Sequence, residues 1–413
     1  MKYFLQTYGC QANKADSELI AGTLEAMGHR EVKTMERADL IILNTCSIRQ
    51  SAEDRVFAKM EKLRALKEKK PSLKIVIAGC MIGPSGKDPR DKKITERLDG
   101  ADAFIGTQDY PNLNHIFRQI LPEPVEYLPN TIKPKRTDKH HAYVLISSGC
   151  NNFCTFCIVP FARGREVSRP FRDIVDEVRD LIAHGYKEVT LLGQNVNSYG
   201  SDLVKVKGNI RLPTGRVVRP VYVKHLGRYR IPTLFPFLLE TVAQIPGLQK
   251  VDFISSNPWD FSDELIDIIA RNQVIARHIH LPIQAGSNRI LKRMNRWYTR
   301  EQYARLVKKI HDRVPDVTFS TDIIVGFPGE TEKDFDKTVD IAKKVGWTIA
   351  YIAEYSPRPG TVSGRLFKDD ISNWEKKRRF RVLDEIINGH KHPPAKIPRH
   401  IQYRHAELVS ASV

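Results

Sequence analysis

The feature that most restricts the fold of this chain is an alternation of short β-rich apolar runs with longer amphipathic stretches, broken once. Lys2–Tyr8, Leu40–Leu43, Lys74–Ala78 and Ala103–Ile105 read as strands. Helical patterns separate them at Asp16–Met27, with Leu19, Ile20, Leu24 and Met27 on one side, and at Ala52–Lys69. Such alternation predicts βαβ units and a parallel sheet. Pro122, Pro124, Pro129 and Pro134 then punctuate a polar stretch ending at His140 and His141, which is linker composition. Beyond it the strand candidates are Tyr143–Ile146, Glu188–Leu192, Val251–Ile254, His278–Leu281, Thr318–Val325 and Ile349–Tyr355. Helical stretches such as Asp173–His184, Asp263–Ala270, Arg300–Arg313 and Glu332–Val345 lie between them.

The expected fold class is therefore α/β. An N-terminal parallel-sheet domain is expected over 1–121, a linker over 122–141 and a partial (β/α)6 TIM-like barrel over 142–371. A doubly wound open sheet is the topology that periodicity leaves open. Residues 201–233 interrupt the second βα unit, and Leu203–Arg230 within them holds eight Lys or Arg and no acidic residue. Residues 372–413 are expected to form a C-terminal helix and an unpatterned tail.

Lys and Arg number 66 against 48 Asp and Glu, a net charge of +18. That excess favours a polyanionic partner, RNA or DNA ahead of an acidic membrane surface. No apolar run approaches the roughly 18–20 residues that span a bilayer. The opening MKYFLQTYG has too short an apolar stretch for a signal peptide and leads straight into patterned sequence. A cytoplasmic, membrane-free protein is expected, and a monomer. Six cysteines are too few for a disulfide scaffold in a chain of 413 residues.

Cys150, Cys154 and Cys157 form C-x3-C-x2-C directly after a strand candidate. Three thiolates on one loop suit an iron–sulfur cluster that tolerates one missing protein ligand. Zinc is the alternative, but it normally takes four protein ligands, and no fourth Cys or His follows closely. A 4Fe–4S cluster held by three cysteines leaves one iron open to the amino and carboxylate groups of S-adenosylmethionine, the cofactor then supplying the hard chemistry. Cys10, Cys46 and Cys80 are far apart in sequence, and scattered cysteines are commonly inert. Each, however, follows a strand candidate (YFLQTYGC, LIILNTC, IVIAGC). Parallel strands bring such positions to one rim of a sheet, where open α/β folds place ligands, so a second three-thiolate site is expected.

These residues resemble the radical S-adenosylmethionine methylthiotransferases, and most closely their tRNA-modifying branch. The resemblance rests on QTYGCQANKADSE, LNTCSIR, IAGCM, GCNNFCTFCIVPFARGREVSRP, LLGQNVNSYG, HLPIQAGSNRILKRMNR, DIIVGFPGET and YSPRPGT, and covers roughly Met1–Gly389 apart from the insertion. It implies a transferase with two 4Fe–4S clusters and S-adenosylmethionine as cofactors. The Cys150/Cys154/Cys157 cluster would generate the radical and the Cys10/Cys46/Cys80 cluster would carry the sulfur. The substrate implied is N6-isopentenyladenosine beside the anticodon of tRNA, methylthiolated at C2. A flavodoxin or ferredoxin would donate the electron. Relatives usually end in a small RNA-binding barrel, the TRAM domain, which is expected to be absent here. Two other readings compete: a non-catalytic iron–sulfur or zinc RNA-binding relative, and a methylthiotransferase acting on a ribosomal protein.

Beyond the cysteines, Gln194, Asn195, Ser255, Gln284, Asp322 and Gly326 follow or end barrel strands. They are candidates for cofactor contact, because barrels bind ligands at that face. For the glycine the alternative is a turn residue only. Arg163, Arg165 and Arg169 follow the cysteine loop and are candidates for gripping RNA phosphate or the cofactor carboxylate; a solvated basic loop is the alternative. Phe153 and Phe156 are candidates to receive the prenyl group. Tyr222 and Tyr229 give the basic insertion rings on which bases can stack.

Overall fold

The structure is a computed structural model that describes residues 1–47, 50–83, 92–121, 133–225 and 229–389. It forms two compact units: residues 1–139 with 148–151 and 158–165, and residues 140–147 with 152–157 and Glu166 onward.

The first unit is built on β1 (Lys2–Thr7), β2 (Arg30–Glu31), β3 (Leu40–Thr45), β4 (Lys74–Gly79) and β5 (Ala103–Ile105). They pair in the order β2-β1-β3-β4-β5, every pair parallel. The central β3 is buried at all six positions, as a strand covered on both faces must be. Its side chains alternate between two cores. Leu40 and Ile42 join Ile20 and Leu24 of α1 (Gln11–Ala26) and Leu113 and Phe117 of α4 (Leu113–Ile120). Ile41 and Leu43 join Val56, Met60 and Leu63 of α2 (Gln50–Lys69). A short α3 (Lys92–Arg97) completes the unit.

Two features depart from the sequence reading. Helix α1 begins at Gln11 rather than Asp16, because its first turns bury Gln11, Asn13 and Asp16, polar residues that apolar periodicity does not register. Helix α4 was not among the sequence-derived elements. Of the polar stretch, residues 122–132 lie outside the described residues. Residues 133–139 are held to the first unit: the Lys135 N–H donates to the Glu18 carbonyl, and its Nζ pairs with Glu25 at 2.6 Å and Glu31 at 2.7 Å. His141 starts the next strand and shares a hydrogen bond with Thr190 at 2.8 Å.

The second unit carries six parallel strands. β6 (His141–Leu145), β7 (Glu188–Leu192) and β10 (Lys250–Ile254) form one ladder, with β7 central. β11 (His278–His280), β12 (Thr318–Val325) and β13 (Ile349–Glu354) form the other, with β12 central. One core runs under both, from Val144 and Leu191 through Phe253 and Ile279 to Ile323 and Ile352. The expected partial barrel is present. Its helices are stopped and started by local chemistry: Thr299 with Gln302, and Thr331 with Asp334, form reciprocal caps at the starts of Arg300–Arg313 and Glu332–Val345.

The insertion is folded where it is described. Ile210–Arg211 pairs with Val217–Val218, and β8 (Val221–His225) pairs antiparallel with β9 (Tyr229–Thr233). Along β8, Val221 and Val223 are buried while Tyr222 and Lys224 face outward, the two-residue alternation of a half-buried strand. The Tyr229 side chain and residues 390–413 lie outside what is described.

Candidate functional site

In the first unit the three dispersed cysteines follow the ends of β1, β3 and β4, and backbone geometry draws their loops together. Gly9 has φ +112°, and a Cβ there would stand 2.4 Å from Cys46 Cβ and 2.9 Å from its Sγ. Gly79 has φ +97°, and a Cβ there would stand 2.5 Å from the Thr45 carbonyl oxygen. No L side chain fits either position, so the loops can interlock only through glycine. The Cys80 N–H donates to the Thr45 carbonyl at 2.9 Å. Asn13 Nδ2 donates to the same carbonyl at 2.9 Å, and Asn13 Oδ1 accepts from the Cys10 thiol at 3.4 Å. Cys10 occupies the N-cap position of the 16-residue helix α1, whose N-terminus favours negative charge.

Cys46 and Cys80 are buried and Cys10 half-buried, and all three are free of disulfides. Burial pushes the Cys80 thiol up, opposed first by the charge of Arg163. Arg163 corrects an expectation. It is not available to RNA: its side chain is 3% exposed, and Nη2 pairs with Asp16 Oδ2 at 2.6 Å. Asp16 is itself buried, which pushes its carboxyl up against the pull of Arg163.

The cysteine loop contributes to both units. In the first, the Cys150 N–H donates to the Gly164 carbonyl at 3.2 Å. In the second, Cys154 Sγ accepts from Arg296 Nη1 at 3.4 Å and the Cys157 N–H donates to the Cys154 carbonyl at 3.0 Å. Between them Phe153 takes φ +48° and is half exposed, its carbonyl held by Asn295 Nδ2 at 3.0 Å. Phe156 instead packs edge-on against Phe327 at 6.5 Å.

The strand ends of the second unit form a polar mouth. Asn195 Nδ2 donates to Asp260 at 2.7 Å, while its Oδ1 is buried without a protein partner. Ser147 Oγ, Asn197 Nδ2, Ser256 Oγ, Asn257 Oδ1 and Trp259 Nε1 are likewise buried and unpartnered. Such groups are costly to leave unmade, and each calls for a ligand or water. Ser255 and Gln284, at φ +76° and +70°, hold left-handed conformations that concentrate at functional sites. Gln284 also ties its strand end to β12, its N–H donating to the Asp322 carbonyl at 2.9 Å and its carbonyl accepting from the Ile324 N–H at 2.9 Å. Asp322 lies 3.3 Å from His280 Nε2, and Gln194 is half-buried. The Gly326 N–H donates to Glu330 at 2.6 Å, and a Cβ there would meet Lys376 Cγ at 2.3 Å, so its contact is with the C-terminal helix.

Sequence reasoning missed Ser147, Asn197, Ser256, Asn257, Trp259 and Arg296. For all but Arg296 a signal was available: Ser147, Asn197, Ser256, Asn257 and Trp259 each follow a strand within a few positions. Arg296 is 8% exposed and stacks its guanidinium on Trp259 at 4.6 Å and on Tyr298 at 5.2 Å. Arg165 is exposed, whereas Arg169 is committed to Glu177 at 2.7 Å and the Leu145 carbonyl at 2.7 Å.

Among the described residues, no group of three or more His, Cys, Asp or Glu side chains is drawn close enough to hold a metal ion. A lone zinc needs sulfurs about 2.3 Å from one centre. Three thiols brought to one rim are the donor set that an iron–sulfur cluster takes. The unpartnered donors and acceptors at the barrel mouth suit a polar, zwitterionic cofactor.

A partial parallel barrel with a three-cysteine loop after its first strand and a polar C-terminal rim defines a radical S-adenosylmethionine protein. Residues 144–342 match the radical SAM superfamily, and residues 2–106 match the uncharacterized protein family UPF0004. In solved structures the fold is similar to that of the radical S-adenosylmethionine methyltransferase TsrM from Kitasatospora setae, with TM-score 0.58, 15% identity, and coverage of 88% of this chain and 75% of that one. It is also similar to the cobalamin-dependent radical enzyme OxsB, with TM-score 0.52, 11% identity, and coverage of 94% and 55%. Among curated proteins, a tRNA-2-methylthio-N(6)-dimethylallyladenosine synthase from Carboxydothermus hydrogenoformans is 43% identical over 94% of this chain and 83% of its own length. Proteins of the same name from Desulforamulus reducens (41%; 94% and 80% covered) and Thermotoga petrophila (40%; 93% and 81% covered) are also similar. The chain belongs to the tRNA-2-methylthio-N(6)-dimethylallyladenosine synthase family.

Proposed function

We propose that the chain methylthiolates C2 of the adenine in N6-dimethylallyl (isopentenyl) adenosine beside the tRNA anticodon, by a radical mechanism. Family membership at about 40% identity is the observation that carries this reading. The cofactors are S-adenosylmethionine and two 4Fe–4S clusters. Cys150, Cys154 and Cys157 would hold the cluster to which S-adenosylmethionine binds; Cys10, Cys46 and Cys80 would hold the other, from which sulfur is passed on. When bound, these cofactors supply the one-electron chemistry and the methyl group, which an inert C2–H bond requires because side-chain acids and bases cannot activate it.

The protein's own work is placement. Asn195, with Gln194, Ser255, Gln284 and Asp322, would orient S-adenosylmethionine at the strand ends, helped by the unpartnered Ser147, Asn197, Ser256 and Asn257. Gly326 would serve by keeping the end of β12 close to Lys376. The Arg296 guanidinium donates to Cys154 Sγ and fixes that ligand's direction. The modified base would leave the anticodon stack to reach the mouth, with half-exposed Phe153 better placed than Phe156 to meet its prenyl group. A flavodoxin or ferredoxin would supply the electron, a monomer being the working form. Among the described residues no helix is long and apolar enough to cross a membrane, and the cytoplasm, where tRNA is modified, would be the working location.

Arg165 and the folded insertion would meet RNA phosphate. Lys205, Lys207, Arg219, Lys224 and Arg230 are exposed, whereas Arg216 is paired with Glu240. Changing those five to Gln should weaken tRNA binding and reduce its salt slope by up to about 3.5–4.5, since each phosphate contact contributes about 0.7–0.9. An unchanged slope would leave the hairpin as scaffold.

The reaction is tested by anaerobic reconstitution with iron and sulfide, then incubation with reductant, S-adenosylmethionine and tRNA with or without the prenyl group. Nucleoside mass analysis should find the methylthio product only from prenylated tRNA. Modification of threonylcarbamoylated tRNA alone would overturn the substrate. A colourless zinc-loaded protein would overturn the enzyme reading.

A further inference from the structure

The buried pair between Arg163 and Asp16 is unusual for what it leaves undone. Both side chains lie within the first unit, 3% and 2% exposed. Desolvating two charges costs at least as much as their attraction returns, so such a pair is weak evidence for stability. Nη2 of Arg163 is satisfied by Asp16, yet Nη1 is buried with no protein partner. A buried guanidinium with a spare donor is either a fault or a group waiting for an acceptor.

The surroundings say where that acceptor belongs. Arg163 closes the segment in which Ile158 and Ala162 pack against Cys80. Thr107 Oγ1 donates to the Ala162 carbonyl and Gln108 Nε2 to the Arg163 carbonyl, both at 3.4 Å, so the segment is fixed from a second side. Asp16 rises from α1, the helix whose N-cap position Cys10 occupies. The spare donor therefore belongs at the rim that Cys10, Cys46 and Cys80 share.

We propose that Arg163 is a positioning residue for the sulfur-carrying cluster: its Nη1 donates to a sulfur of that cluster or of Cys80, with Asp16 fixing the guanidinium in place. This rests on reading Cys10, Cys46 and Cys80 as the ligands. Hydrogen bonds to sulfur and local net charge set the reduction potential of such clusters. Reduction adds negative charge, so an adjacent cation favours the reduced state and raises the potential. The same contact slows loss of iron by holding an otherwise anionic site together.

The test uses the full chain carrying Cys150→Ala, Cys154→Ala and Cys157→Ala, so that one cluster remains. Iron and sulfide content, the rate of iron loss to a chelator and an EPR-monitored redox titration are compared for Arg163, Arg163→Lys and Arg163→Met. Asp16→Asn/Arg163→Met removes both charges and leaves no lone carboxylate buried. The Met variants should favour the oxidised form about tenfold more, equivalent to about 59 mV for one electron, and lose iron several-fold faster; Lys should fall between. Unchanged potential and iron loss in the double variant would overturn the proposal. So would an apo protein that melts far below its parent while Arg163→Lys keeps the parental potential, which marks a structural role alone. Failure of the parent itself to bind about four irons would instead overturn the ligand assignment.

Discussion

The rim of the first unit and the mouth of the second solve the same problem in opposite ways. At the first rim, three cysteines come from three strand ends and the polar groups around them are mostly spent: Asn13 on Thr45 and Cys10, and one arm of Arg163 on Asp16. At the strand ends of the second unit, several polar side chains are instead buried with no protein partner. The first rim has its hydrogen bonds largely in place without a ligand. The second keeps several groups unclaimed, which is what an exchangeable ligand would need.

The largest expected effect separates the two outright. Alanine at Cys150, Cys154 or Cys157 should abolish reductive cleavage of S-adenosylmethionine. Alanine at Cys10, Cys46 or Cys80 should spare cleavage and abolish methylthiolation. Both activities are read on one reconstituted sample by chromatography of 5′-deoxyadenosine and of digested tRNA. Loss of cleavage in a folded Cys46→Ala protein would end the division of labour.

A second effect tests how each rim is built. Gly79→Ala places a methyl 2.5 Å from a backbone carbonyl at a left-handed φ, and neither neighbour can give way. It should cost about 2–3 kcal/mol of stability and halve the iron of the intact protein or worse. Gly193→Ala meets the Ser147 hydroxyl at 2.7 Å, which can rotate aside, and a Val196 methyl at 3.3 Å, which has a few tenths of an ångström to give. It should keep its iron and raise the KM for S-adenosylmethionine a few-fold. Equal iron loss in both would show that the two rims are not built differently.

This contrast also explains what the sequence could tell. The Cys150 loop was legible because its spacing is local. The rim of Cys10, Cys46 and Cys80 was legible only through topology, since parallel strands must end on one edge. The early start of α1 was not, because Asn13 and Asp16 are buried against Thr45 and Arg163, partners distant in sequence. Arg163 misled for the same reason: a basic residue in a basic loop reads as surface until the carboxylate that buries it, 147 positions away, is seen. The polar mouth was half legible, through Asn195 and Ser255 but not Ser256, Asn257 or Trp259, because strand ends are marked in sequence and unpaired atoms are not.

Asn195→Ala is smaller in effect and sharpens the picture of the open mouth. It removes a buried acceptor with no protein partner together with the donor to Asp260. If that acceptor serves S-adenosylmethionine, KM should rise about tenfold, matching one hydrogen bond of roughly 1.5 kcal/mol. Cluster content should stay unchanged, and a KM equal to the parent's would remove Asn195 from the cofactor's contacts.

The smallest effect concerns pH and only the second unit. Hydrogen bonds from Arg378 and Arg379 hold the Glu375 carboxyl down at about 2, from an ordinary 4.5. A carboxyl depressed on folding adds stability that is complete above its unfolded value. That contribution fades as pH falls from about 4.5 toward 2, because the unfolded chain takes up the proton first. Glu375 is partly solvated, so screening limits its worth to about 1 kcal/mol. It lies in the first turn of the C-terminal helix Asn373–Ile387, where Arg379 also grips Glu330, the acceptor for the Gly326 N–H. Glu375→Gln should therefore lower the melting temperature by a few degrees at pH 7 and by less at pH 3. Hydrogen exchange should report the change at the end of β12 and leave the strands of the first unit unaltered; equal loosening of β3 would show that the two units do not unfold separately.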